Sequence, residues 1–84
     1  MTDLKRSPLC SRDDGREIYF TVRRDAAKFR MTVPREMLDD EIGNAAGEKD
    51  RKIWVTANIA NILEQLTNSN SGAPFDRIRV EEIT

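Results

Sequence analysis

The chain has 84 residues, 38% apolar and 35% charged, with 14 Lys+Arg against 15 Asp+Glu; this is one small domain or a fragment of one, neither a disordered chain nor a membrane-embedded one. It contains no histidine, which removes the usual metal ligand and the usual general base near neutral pH. Its one cysteine, Cys10, excludes an internal disulfide and any zinc site built from cysteine and histidine.

Residues 1–15 include Ser7, Pro8, Ser11, Asp13, Asp14 and Gly15 with no sustained periodicity. They read as a flexible N-terminal segment closed by an Asp-Asp-Gly turn. Lys5 and Arg6 are not followed by the apolar run of a secretory signal, and Cys10 reads as an unpaired surface thiol. No stretch approaches the roughly 20 apolar residues of a bilayer-crossing helix. A cytoplasmic protein with no membrane contact is expected.

Residues 16–84 form the expected domain. Ile18, Phe20 and Val22 alternate with Tyr19, Thr21 and Arg23, and Phe29, Met31 and Val33 alternate with Lys28, Arg30 and Thr32. Period two with β-branched and aromatic residues signals half-buried strands. One antiparallel register pairs Val22 with Phe29, Phe20 with Met31 and Ile18 with Val33, so all six apolar side chains share a face. A slip by one residue would turn that set into water. The connection is then tight around Asp25 and Ala26, or a four-residue loop over 24–27.

Val33-Pro34-Arg35-Glu36 opens a short helix, with proline suited to the first helical position and Glu36 and Asp39 near the positive end of the dipole. Gly43-Asn44 stops it. Residues 49–68 lack Gly and Pro and carry the stripe Val55, Ile59, Ile62, Leu63 and Leu66, one face of a helix of roughly 20 residues. Ile53, Ala57 and Ala60 are expected to widen that face. A polar loop over 68–74 follows, and Ile78 and Val80 alternate with Arg77, Arg79 and Glu81 in a third strand over 77–83. The expected fold is α+β: a small, three-stranded, mostly antiparallel sheet in the order β-β-α-α-β, with two helices packed on one face.

No glycine-rich phosphate loop, Gly-x-Ser-x-Gly elbow or histidine triad occurs. The acidic run Glu36, Asp39, Asp40 and Glu41 diverges around a helix axis and reads as a solvated face rather than a metal site. No catalytic residue, metal or cofactor is assigned, and a non-enzymatic protein is expected.

Charge placement is more informative. Residues 1–35 carry a net charge of +4 and residues 36–84 carry −5. With helices on the apolar side, the other sheet face presents Tyr19, Arg23, Lys28, Arg30, Arg77 and Arg79. Such a face is either simply solvated, or meets the phosphates of a nucleic acid, or meets an acidic protein. A single aromatic and a pI near 5.4 count against a dedicated nucleic-acid binder. Arg23 opposite Lys28 is a like-charge pair that costs stability. On the long helix, Trp54 shares a polar stripe with Asn58, Asn61 and Gln65. That stripe is either an interface anchor for a protein partner or a second copy, or is covered by the short helix or the N-terminal segment.

Arg35-Glu36-Met37-Leu38 followed by Asp39-Asp40, the later helix with Val55 shortly before Asn58, and the closing strand over 77–83 together resemble the short bacterial proteins grouped as domain of unknown function 1488. The resemblance covers about residues 16–84. It implies a bacterial protein of similar length and α+β fold, and it carries over no activity and no site residue. Pro34 stands where the family often has a Ser-type cap, and Met31 where a Cys is common. The function expected from all of this is a small binding or protein-interaction module. Weak nucleic-acid binding through the basic sheet face is the alternative.

Overall fold

The computed structural model describes residues 5–66 and 75–83. Within them the chain is α+β. Strands β1 (Lys5–Arg6), β2 (Cys10–Arg12), β3 (Glu17–Arg24) and β4 (Ala27–Val33) precede helices α1 (Arg35–Ile42), α2 (Glu48–Ala57) and α3 (Ile59–Glu64). A 3-10 turn, Phe75–Arg77, then leads into β5 (Arg79–Glu82).

The central hairpin follows from its side-chain alternation. β3 and β4 pair antiparallel with Ile18 opposite Val33, Phe20 opposite Met31 and Val22 opposite Phe29, the register in which six apolar side chains share one face. Arg24 pairs with Ala27, so the connection is the two-residue one, with Asp25 at φ 54. Asp tolerates this left-handed backbone better than most residues.

The sheet has five described strands rather than three, in the order β1-β3-β4-β5, with β2 also pairing β3. Residues 5–12, expected as a flexible segment, instead supply two short strands along the free edge of β3. Lys5 pairs with Arg23 and Arg6 with Val22, and Cys10 pairs with Tyr19, Ser11 with Ile18 and Arg12 with Glu17. Strands of two and three residues are too short to show a period, which is why composition alone reads them as loop. The Asp-Asp-Gly turn does connect β2 to β3, with Asp13, Asp14 and Gly15 all at positive φ.

α1 starts one residue later than its proline suggested. Pro34 is the extended residue before the helix, at φ −66 and ψ 152. Gly43 ends it at φ 92, its N–H bonded to the Asp39 carbonyl at 2.9 Å. The single long helix is two helices. Asn58 leaves helical geometry at φ −109 and ψ 16, and its side-chain amide donates to the Trp54 carbonyl at 2.9 Å. An Asn side chain competes with the helix ladder in this way. The final strand is shorter than expected because Arg77 belongs to the 3-10 turn. The expected polar loop over 68–74 lies outside the described residues.

The core lies between the inner sheet face and the helices. Ile18, Phe20, Val22, Met31 and Val33 meet Met37 and Leu38 of α1, Val55 of α2, Ile62 of α3, and Ile78. Each large side chain so buried contributes about 1.5–3 kcal/mol. Leu9, Ile59, Leu63 and Leu66 pack around this cluster. Ile53, Ala57 and Ala60 do not: all three are exposed. Ile53 and Ala57 each lie two residues from Val55, about 200° around the axis, so a helix that buries Val55 turns both outward.

Among the described residues, the core also holds one charge. Arg51, one turn before Val55, is fully buried. Its Nε donates to the Ala46 carbonyl at 2.8 Å, one Nη to the Arg16 carbonyl at 3.0 Å and the other to Asp39 Oδ1 at 2.6 Å. One side chain thus ties α2 to α1, to the loop between them and to the start of β3.

Candidate interaction surfaces

Antiparallel partners point to the same side of a sheet, so the register places Tyr19, Arg23, Lys28, Arg30 and Arg79 together on the outer face. Arg77 is not with them. It lies in the 3-10 turn, where its Nη1 donates to Asp40 Oδ2 at 2.7 Å. That hydrogen bond raises the guanidinium pKa above its ordinary value, with the Asp40 charge adding to it. Asp39 and Asp40 therefore hold Arg51 and Arg77. Asp39 is kept below the usual carboxylate range, first by the Arg51 hydrogen bond and then by the charges of Arg51, Arg35 and Arg16, against some desolvation.

The outer face divides into two regions. At one end Glu17 is clasped by Arg12 Nε at 2.6 Å and Arg79 Nη2 at 2.9 Å. The Arg12 guanidinium also lies 5.1 Å from the centre of the Tyr19 ring, a cation–π contact. Tyr19 is thereby covered rather than presented as a stacking platform. At the other end Lys5, Arg23 and Lys28 form a continuous row across β1, β3 and β4. They line a depression of about 330 Å³ with Arg6 and Ser7. Between the two regions Arg30 is opposite Glu81.

Lys5 and Arg12 were missed as members of this face because they belong to the two short edge strands. Once β3 is taken as a central strand the signal is present: Arg12 directly precedes the Asp-Asp-Gly turn, and Lys5 and Arg12 are both charged, as edge positions commonly are.

The second surface is on the helices. Trp54 is half-buried and stacks on Phe75, ring centres 6.0 Å apart and planes 24° apart. Of the amides grouped with it, Asn58 bonds the Trp54 carbonyl and Gln65 donates to the Asn61 carbonyl at 3.2 Å. Trp54 is thus partly covered within the chain, with Phe75 one of the residues against it. The exposed large apolar residue of α2 is its neighbour, Ile53, at 56% exposure. Two shallow depressions flank it. One, of about 660 Å³, runs past Lys49, Lys52, Thr56 and Ala57; the other, of about 610 Å³, runs past Ile42, Ala45 and Trp54.

Glu48, at the rim of the first depression, accepts a short hydrogen bond from the Ser11 hydroxyl and pairs with Lys52 at 3.1 Å. These contacts, Ser11 first, hold its carboxyl below the usual range. Cys10 is exposed on β2. Among the described residues no helix is long and apolar enough to cross a membrane. Comparison with protein-family models, with curated proteins and with solved structures finds no match.

Proposed function

We propose that the chain is a small, non-enzymatic protein-interaction module of the bacterial cytoplasm, docking through the outer face of α2 and α3, and that the occupant of that face is a second copy of the chain. The observation that carries this reading is the stripe Lys49, Ile53, Thr56, Ala57, Ala60 and Glu64, every member of which is exposed. It has apolar and small residues in the middle, a cation at one end and a carboxylate at the other. Two copies meeting across a two-fold axis at α2 bring Ile53, Thr56 and Ala57 of one against the same residues of the other. A two-fold interface requires this self-complementarity. Small residues at its centre let the helices approach closely, while Ile53 supplies the apolar anchor. The kinship with domain of unknown function 1488 is part of the same proposal and rests on the residues quoted above.

Sedimentation over a concentration series tests it. The wild type associates to a dimer, and Ile53→Asp is monomeric; at concentrations low enough for both to be monomeric the two melt at the same temperature, since Ile53 is outside the core. A wild type that stays monomeric throughout removes the reading.

The alternative, weak nucleic-acid binding by the whole outer sheet face, has less support. Arg77 is bonded to Asp40, Arg79 and Arg12 to Glu17, and Tyr19 is covered by Arg12.

A further inference from the structure

The two depressions that flank Ile53 differ in charge. One carries Lys49 and Lys52, together with Glu48, which is paired with Lys52. The other, between α2 and the end of α1, carries a single charged side chain, Asp50, among apolar residues. Asp50, Ile53, Trp54 and Ala57 fall at i, i+3, i+4 and i+7, so they form one ridge of α2. The facing wall is Ile42, the last residue of α1, with Ala45 and Ala46 of the interhelix loop. Small side chains on both walls keep the space between them open. The indole of Trp54 is held by its stack on Phe75 and lines the depression half-buried.

Two sources of negative charge meet at this depression. Asp50 is exposed, and among the described residues it has no ion-pair partner. The last carbonyls of a helix carry partial negative charge, which a basic side chain in the last turn can offset. α1 has no basic residue there. Its negative end therefore lies beside the Asp50 carboxylate and an indole.

We infer that the depression between the end of α1 and α2 is a binding site for a small amphiphilic amine, an ammonium group on an apolar body. Its volume of about 610 Å³ is within the range of small-molecule sites. Mostly apolar walls with one placed charge are the usual make-up of such a site. The ammonium meets Asp50 and the carbonyl end of α1, and an indole attracts a cation over its ring. The body of the ligand packs on Ile42, Ile53 and Ala57. A carboxylic acid is repelled by the same charges, and a neutral ligand gains the apolar contact alone. The depression shares Ile53 and Ala57 with the proposed dimer face, whereas Asp50, Ile42 and Trp54 lie outside that stripe. Binding measured on dilute, monomeric protein therefore succeeds or fails separately from the dimer.

The chain contains one tryptophan, so its intrinsic fluorescence reports on Trp54 alone. Fluorescence and calorimetric titrations of the full chain with 2-phenylethylamine and with 2-phenylethanol, at pH 7 and low salt, test the inference. The amine keeps its proton at that pH, as lysine does, and the alcohol offers the same body without charge. The amine gives a saturable change in fluorescence and binds about tenfold more tightly than the alcohol. Added salt shrinks that preference. Asp50→Asn, a change at an exposed position, removes most of the preference and leaves the affinity for the alcohol unchanged. Ala45→Leu, which fills the depression from the loop, weakens both ligands. Glu81→Gln, on the outer sheet face, binds both as wild type does. Equal affinity for amine and alcohol in the wild type overturns the site, as does the absence of a saturable change with the amine. An equal loss in Asp50→Asn and Glu81→Gln also overturns it, since the attraction is then to the charge of the whole chain.

Discussion

The Arg51 guanidinium meets the Asp39 carboxylate at 2.6 Å, with the arginine fully enclosed and the aspartate side chain still 24% exposed. The pair joins α2 to α1 at the point where the interhelix loop and the start of β3 also converge. It is asymmetric: one partner is solvated if the contact breaks, and the other is not. Most of the penalty for breaking it therefore arises when the arginine is left behind.

Arg51→Ala, which leaves a cavity and two carbonyls without their donor, lowers unfolding free energy by about 3 kcal/mol, in the range for removing one member of a buried pair. Arg51→Met, which refills most of the volume, loses less. Urea unfolding followed by circular dichroism checks both, and equal midpoints for Arg51→Ala and wild type would mean that the arginine is not a structural tie.

Asp39 has a lowered pKa in the fold, from an ordinary value of 3.8. The unfolded chain therefore takes up the proton first as pH falls. The stabilisation is complete above pH about 4 and disappears as pH drops through the lower, folded-state value. Glu48, also lowered, acts in the same sense. Stability measured between pH about 2 and 5 falls with acid, and Asp39→Asn flattens part of that slope. A variant with the full wild-type slope would assign the acid sensitivity elsewhere.

Gly15 and Gly43 separate two costs of a side chain. Both have positive φ, 82 and 92. A Cβ on Gly15 would come 2.7 Å from the Glu48 Cβ, whereas one on Gly43 meets nothing within 4 Å. Gly43→Ala thus loses backbone strain energy alone, about 1 kcal/mol, and Gly15→Ala loses that plus the displacement of α2, about 2–3 kcal/mol. Denaturant midpoints for the two variants should differ in that order.

Adjacent residues on α2 should behave oppositely. Trp54→Ala removes the stack on Phe75 and its packing on the core, costing about 2–4 kcal/mol. Ile53→Ala changes stability by less than about 0.5 kcal/mol. Calorimetric melting of dilute protein measures both, and a larger effect at Ile53 would reverse the assignment of the two faces.

How much was legible from the residues alone follows the length of each pattern. The β3–β4 hairpin rests on three apolar pairs that agree on one register, so a single slip is excluded three times over. The closing strand and α1 were readable from alternation and from Pro34 and Gly43, to within a residue or two. The edge strands of two and three residues have no period, and with them went Lys5 and Arg12 of the outer face. Asn58 breaks the long helix through its own side chain, a local competition that an apolar stripe does not report. Arg51 falls on the stripe through Val55 and Ile62, but a charged residue at such a position reads as a flaw in the pattern until its three acceptors are seen. Ile53 was misplaced for the complementary reason: its apolar character suggested burial, while its angle on the helix opposed it.

Among the described residues, strand β3 is shielded on one flank by the two short segments over 5–6 and 10–12. Strip those away and an eight-residue ribbon, Glu17–Arg24, offers its bare amides and carbonyls to any extended peptide nearby. Residues 5–12 thus act as a fence against fibre-like stacking, and their lysine and arginines make the fence itself a poor template. Trimming them to obtain a tidier fragment would yield protein that clumps, and would also strip Leu9 from the core.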